Sequence, residues 1–343
     1  MNHFDTIRVT IPLKKKFVVS KGEAVTKTNV ITILNNRYNG EASTSVHYGP
    51  SLDQIEIELH DVTQKLKSKH MIDLATLKEI DEYDIHPVTK SALIGMVLNY
   101  ISGETARYPW EVLSLSTPVG IKSSMTIGLD DPAKMAQAIQ ETEFPIVKVK
   151  MGGQTDMDLV AALQDISGKE VRVDANGGWT CEQAEEMIYY LAGLGVRIIE
   201  QPTAIESVSE WKRLKGKHAD IELIADEGLN NRDDYQNLQD HIDGINIKME
   251  KSGGILEAVL LAEQAHQDEK KVMLGCMVES SIGIAQAIYM SSLADYHDLD
   301  APLLLENDIA QGITYTRDTI EVDREIIGGP KLKRDVVEKY SDR

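Results

Sequence analysis

Only two cysteines, Cys181 and Cys276, stand in a chain of 343 residues. They are too few for the disulfide framework of a small secreted domain, and they suit a reducing compartment. No unbroken apolar run reaches the roughly 18 residues that a membrane-spanning helix needs. The first residues, Met1-Asn2-His3-Phe4-Asp5, lack the basic flank and apolar segment of a signal peptide, so a cytoplasmic location is expected. Positive charge is in deficit: 36 Lys and Arg against 55 Asp and Glu leave a net charge of −19. That balance argues against nucleic acid and anionic membranes as partners, because both reward basic patches. What is present, 42% hydrophobic and 27% charged residues, is the composition of a globular protein. The length allows one large domain and a smaller second one.

The N-terminal part reads as α+β. Residues 5–13 and 28–34 have the look of two strands, with a polar loop over 14–26 between them and a turn at Asn39-Gly40. A second loop covers 44–50, and apolar spacing predicts helices over 51–67 and 88–101. Ser116-Thr117-Pro118 breaks the pattern and suggests a boundary, giving one domain over 1–115 and a second over 116–317. Residues 313–322 are expected to form closing strands, and a tail over about 318–343 to return to the first domain.

From Ser123 the rhythm changes to strand, turn, helix. Met125 to Leu129 is the first strand, and Asp131-Pro132 opens a helix with proline at its first position. Thr180-Cys181-Glu182-Gln183 fits a capping box, and Gly193 or Gly195 ends the helix it opens. Five short apolar runs end in charge at Lys150, Asp174, Glu200, Asp226 and Lys248, a step of about 25 residues. That is the repeat of a (β/α)8 barrel, whose strand C-termini converge on one site. Val272-Met273-Leu274 supplies a seventh strand leading to Glu279, and His297-Asp298-Leu299-Asp300 lies at the eighth.

Three acids in phase on consecutive strands repel one another unless a cation intervenes, and an all-oxygen set suits Mg²⁺. Any one of Asp174, Glu200 and Asp226 alone reads more simply as a loop acid or a helix cap. Lys148 and Lys150 share one face of their strand, with Val147 and Val149 on the other. Lys248 takes the matching place across the barrel, with Asn246 on its face. Buried lysines are costly unless paired or functional, and a second cation nearby makes a lysine a usable base. The simpler alternative is that these lysines form structural ion pairs with the acids. Two bases facing each other across a metal fit removal and return of a proton next to a carboxylate, through an enediolate.

Taken together, Lys148-Val149-Lys150, Asp174-Ala175-Asn176-Gly177-Gly178-Trp179, Glu200-Gln201-Pro202, Ala225-Asp226-Glu227, Asn246-Ile247-Lys248 and Lys251-Ser252-Gly253-Gly254 resemble the muconate lactonizing enzyme subgroup of the enolase superfamily. Asp298-Leu299-Asp300 resembles the Asp-x-Asp signature of its dipeptide epimerases. The resemblance implies a modified (β/α)8 barrel under an N-terminal α+β capping domain, assembled as a homo-oligomer. It implies one Mg²⁺ per subunit on Asp174, Glu200 and Asp226, holding the carboxylate of a dipeptide. Lys150 and Lys248 would exchange the α-proton of the C-terminal residue, with Lys148 tuning Lys150. Asp298 and Asp300 would hold the ammonium group, and Thr126, Gly275, Met277 and Glu279 would line the substrate. In Ala-Glu epimerases of the family an arginine pairs with the substrate glutamate, and Gly22 stands at that place here. Lys21 beside it is either a point-charge substitute or a solvated loop residue. Other reactions of the superfamily are rivals: o-succinylbenzoate synthase, muconate cycloisomerase and N-acylamino acid racemase. Their substrates have no free ammonium group, so they give no reason for paired acids at 298 and 300. A barrel that binds without catalysis would need neither the lysine pair nor the three acids.

Overall fold

A computed structural model describes residues 2–19, 22–44, 49–215, 218 and 220–341. The chain opens with an antiparallel sheet of β1 (Phe4–Val19), β2 (Gly22–Leu34) and β3 (Tyr38–Ala42). Alternation sends Val9, Ile11, Leu13, Ile31 and Ile33 to one apolar layer and Val30 and Leu34 to the other, so the sheet is buried on both faces. The expected loop over 14–26 is instead largely strand: β1 and β2 pair again at Phe17–Ala24 and Val18–Glu23, after a register shift beyond Pro12. Lys21, expected to touch substrate, lies outside the described residues. So does most of the loop over 44–50. The turn falls at Asn35 and Asn36, both with positive φ, and not at Asn39-Gly40, which sits within β3.

Three helices follow: α1 (Leu52–Lys67), α2 (Leu74–Asp81) and α3 (Pro87–Thr105). Ser51 caps α1 by accepting from Gln54 N, and Ile55, Leu59, Val62 and Leu66 form its buried stripe. α3 is apolar nearly all round, as befits a helix wedged between the sheet and the second domain. Gly40 explains how close it comes. A Cβ there would stand 1.9 Å from Ala92 O of α3.

Short α4 (Pro109–Val112) and β4 (Ile121–Lys122) lead into an eight-stranded parallel sheet. Its strands are β5 (Met125–Ile127), β6 (Ile146–Lys150), β7 (Glu170–Asp174), β8 (Ile198–Glu200), β9 (Glu222–Ala225), β10 (Gly244–Ile247), β11 (Lys271–Gly275) and β12 (Tyr296–Asp298), paired in sequence order. A parallel bridge from Ser123 to His297 joins the last strand to the first. Between strands run α5 (Pro132–Glu141), α6 (Asp156–Leu163), α7 (Cys181–Gly193), α8 (Trp211–Lys215), α9 (Arg232–Leu238), α10 (Met249–Ser252) with α11 (Ile255–Gln267), and α12 (Ser281–Tyr289). The Thr180–Gln183 capping box is formed, and Asp131 caps α5 ahead of Pro132. After β12 only a single turn, α13 (Ala301–Leu304), takes the place of an eighth helix.

The end of the chain departs from expectation. β14 (Ile313–Thr316) and β15 (Thr319–Val322), which follow a two-residue β13 (Ala310–Gln311), do not reach the first domain; they pair with β4 beside the barrel. The return is made just after them. β16 (Lys331–Leu332) pairs with β13, Pro330 O accepts from Asn39 Nδ2 at 3.1 Å, and Gly328 N donates to Ser102 Oγ at 3.0 Å. A terminal helix, α14 (Arg334–Ser341), follows.

Candidate active site

The barrel interior is layered, as alternate residues of each strand must make it. At the base, Arg172 pairs with Glu170 at 2.8 Å and lies over the Tyr296 ring, whose hydroxyl donates to Glu222 at 2.7 Å. Above it Ile198, Ile224 and Met273 form a small apolar plug. Two residues further along β7, β8 and β9 come Asp174, Glu200 and Asp226. Val147 and Val149 face the helices, so Lys148 and Lys150 point inward.

Glycines shape the rim. A Cβ on Gly152 would lie 2.4 Å from Ala175 O, and one on Gly178 would lie 2.6 Å from Gly152 Cα, so the loops after β6 and β7 touch backbone to backbone. Asp156 ties them together: its carboxylate accepts from Gly152 N at 2.8 Å, Gly153 N at 3.1 Å and Trp179 Nε1 at 2.6 Å. Gln201 has a positive φ of 39°, a conformation unfavourable outside glycine. Its side chain stabilises that turn by accepting from Asp226 N at 2.9 Å and donating to Thr203 O at 3.0 Å, which also positions Asp226.

Within the charged layer Lys148 is the hub. Its ammonium group is 2.6 Å from Asp298, 2.7 Å from Glu200 and 3.1 Å from Asp174. Lys150 reaches Asp174 at 2.5 Å and Lys248 reaches Asp226 at 2.7 Å. Lys251 donates to both Asp226 Oδ1 and Asp226 O. Asn246 Nδ2 donates to Glu200 at 2.9 Å. Burial opposes charge on all of these groups, and their neighbours decide the outcome. For Lys148 the surrounding carboxylates outweigh burial and hold its pKa well above the usual value. Lys150 and Lys148 hold Asp174 low, and Lys248 and Lys251 do the same for Asp226. Glu200 is pushed up to about 8 by burial and by Asp174.

The sequence-derived site residues therefore meet at one end of the barrel, but as lysine–carboxylate pairs. Among the described residues no three acids are arranged around a common point as they would be on a metal ion. The ammonium group of Lys148 stands between Asp174 and Glu200 instead. Charge and donor type nevertheless fit a hard divalent cation. Asp174, Glu200, Asp226, Glu227, Asp298 and Asp300 face Lys148, Lys150, Lys248 and Lys251, a surplus of two negative charges, and Glu200 carries much of the strain. Asp174, Glu200 and Asp226 are the residues able to hold such an ion.

At the eighth strand the two acids differ. Asp298 ends β12 and is fully engaged, by Lys148 and by Ser124 Oγ at 2.6 Å. Asp300 lies beyond the strand at the start of α13, not on the same strand face as expected, and accepts from Thr126 N at 2.6 Å. Burial and the neighbouring Asp298 push it up to about 6. Gly275 is needed where it is, since a Cβ there would lie 2.4 Å from Asn246 Oδ1. Met277 lines a cavity at the barrel mouth and Glu279 is buried beside it. Sequence reasoning missed Ser124, the grip of Lys251 on Asp226, and Glu250. A serine two residues before Thr126, on the same strand face, was the one local signal for Ser124.

The family model "Enolase C-terminal domain-like" matches residues 131–323. An L-Ala-D/L-amino acid epimerase of Flavobacterium johnsoniae is 29% identical over 313 residues, which are 89% of this chain and 92% of that protein. An L-Ala-D/L-Glu epimerase of Bacteroides thetaiotaomicron is 30% identical over 80% of this chain and 72% of its own length. A dipeptide epimerase of Cytophaga hutchinsonii, crystallised with Mg and D-Ala-L-Val, superposes with a TM-score of 0.89 at 25% identity, covering 98% of this chain and 97% of that one. With a family match over more than half its length and a fold shared along nearly the whole chain, the chain belongs to the enolase superfamily and is an isomerase of its racemase and epimerase kind.

Proposed function

We propose that the protein is a Mg²⁺-dependent dipeptide epimerase, which inverts the α-carbon of a dipeptide's C-terminal residue by two-base proton transfer. The observation that carries this reading is the placing of Lys150 at the end of β6 and Lys248 just past β10, on either side of the same acid-lined barrel mouth. Asp174, Glu200 and Asp226 would hold the metal, which would supply charge stabilisation to the substrate carboxylate. One lysine, neutral, takes the α-proton from its face. The other, as ammonium, gives a proton to the opposite face, and the two roles exchange in the reverse direction. Lys148, clamped by carboxylates, stays charged beside Lys150. Asp300, whose outer oxygen is not taken up by a lysine, receives the substrate ammonium group. The relatives named above are epimerases of such dipeptides.

Proton NMR of a dipeptide panel in D₂O, with enzyme and Mg²⁺, tests the reading directly. Loss of the C-terminal α-proton signal with a new diastereomer is expected. Silence across Ala-Glu, Ala-Ala and hydrophobic and cationic Ala-Xaa dipeptides, with Mg²⁺ shown to bind, would overturn it and turn attention to N-acylated amino acids.

A further inference from the structure

A cavity of about 350 Å³ opens beside Asp226, between the two domains. Its size is that of a small-molecule subsite. His86 and Val88 line it from the first domain, and Glu250 and Met277 from the barrel. Glu250, two residues past Lys248, is only 2% exposed, and among the described residues the group placed to donate to its carboxylate is the protonated carboxyl of Glu279. Glu279 is equally buried; its Oε1 accepts from Met277 N at 3.2 Å and its Oε2 has no donor. Burial pushes both carboxyls up, and a hydrogen bond between the two keeps the proton on Glu279, whose carboxyl also feels the charge of Glu250.

Buried acceptors without donors are destabilising, so such a pair persists best where a bound group supplies the donors. The cations nearby, Lys27 and Lys248 among them, act on Glu250 through charge and not through a hydrogen bond. Lys251 is held by Asp226, and the ammonium group of Lys27 donates to Thr44 O. His86 is driven toward its neutral form by burial, so it adds no positive charge to the wall. Glu41, the third acid near Lys27, is satisfied by Asn29, Ser280 and Gly283. Glu250 is thus the acid of the cavity wall that a single shared proton, from Glu279, leaves incompletely satisfied.

We infer that Glu250, backed by Glu279, forms a side-chain subsite that selects dipeptides whose C-terminal residue ends in a cationic N–H donor and disfavours a carboxylate. A lysine or arginine side chain would bring donors and a charge that lets both acids ionise; a glutamate would add a third anion. The inference rests on the dipeptide reading above and names the substrate class it implies.

The test is kcat/KM for L-Ala-L-Lys, L-Ala-L-Arg, L-Ala-L-Leu and L-Ala-L-Glu with the wild-type enzyme and with Glu250→Gln. The lysine and arginine dipeptides should lead. Glu250→Gln should lower the Lys-to-Leu ratio by about tenfold or more, chiefly through KM, as loss of one charge-assisted hydrogen bond implies. A wild-type preference for the glutamate dipeptide, or an unchanged ratio in Glu250→Gln, overturns the inference while leaving the dipeptide reading intact. Absence of exchange on every dipeptide overturns both. If Glu250→Gln folds poorly, the wild-type ranking decides alone.

Discussion

Lys148 is gripped by three carboxylates, while Lys150 shares Asp174 with it and Lys248 shares Asp226 with Lys251. Removing either outer lysine therefore leaves its acid with a second cation. Lys150→Ala and Lys248→Ala are expected to keep the fold, with melting temperatures near wild type, and to lose epimerisation by about 10²–10⁴-fold, the usual worth of a positioned acid or base. Retention of turnover in either variant, measured by polarimetry, would remove that lysine from the reaction. Asp300 makes a different case. Its folded pKa of about 6 lies above the ordinary aspartate value of 3.8, so the folded state binds that proton more tightly than the unfolded state does. The resulting stability cost is absent below about 3.8, grows as pH rises toward 6 and is constant above. Asp300→Asn should accordingly melt higher than wild type at pH 7, with the gain shrinking to nothing near pH 4, and should lose dipeptide turnover. In the wild type, KM should rise as pH falls through about 6, because a protonated Asp300 no longer pairs with an ammonium group. A flat KM across that range, or an Asn variant that melts lower at pH 7, would contradict this account.

Glycines separate elements that tolerate a side chain from those that do not. Gly40 of β3 meets the backbone of α3, where a Cβ would stand 1.9 Å from Ala92 O and 3.0 Å from Met96 N. Gly193, at the end of α7, has nothing within 4 Å. Gly40→Ala should prevent normal folding or lower the melting temperature by many degrees, whereas Gly193→Ala should stabilise by up to about 1 kcal/mol through helix propensity. Equal behaviour of the two variants in thermal melts would show that the close approach of β3 and α3 is not what fixes the first domain. The same contrast explains what was legible beforehand. Charges at strand ends, the Thr180 capping box and Asp131-Pro132 are local signals, so the barrel and its inward lysines could be read from spacing. Asn39-Gly40 looked like a turn because the reason for Gly40 is a helix more than fifty residues later. Residues 14–19 carry three lysines in a row and no clean alternation, so the second stretch of β1 was read as loop. Glu41 and Glu250 gave no signal at all, since Glu41 is met by Ser280 and Gly283 across the domain interface and Glu250 lines a cavity that only the two domains together enclose.

At the scale of the whole molecule the first domain is not a loosely tethered lid. Glu41 of β3 accepts from Gly283 N at 2.9 Å and from Ser280 N at 3.1 Å at the start of α12, and Val278 O accepts from Asn29 and Ser43. The acids and lysines of the barrel mouth are thus enclosed on one side by protein, where water cannot easily screen the surplus negative charge. A chain with a net charge of −19 concentrates some of its repulsion there. Neutralising that surplus should stabilise the fold as a unit. At a Mg²⁺ concentration about a hundredfold above Kd, linkage gives roughly 2.7 kcal/mol, provided the unfolded chain does not bind the ion. For a chain of this size that corresponds to a rise of about 4 °C in melting temperature. Glu200→Gln provides the discriminating control. It removes the acid pushed up to about 8, so the variant should melt higher than wild type in chelator and respond less to added Mg²⁺. Scanning calorimetry in chelator, in MgCl₂ and in NaCl of equal ionic strength separates the ion from general screening. A Mg²⁺ effect no larger than that of NaCl would mean that the lysine pairs already balance the site, and Asp174, Glu200 and Asp226 would then be structural.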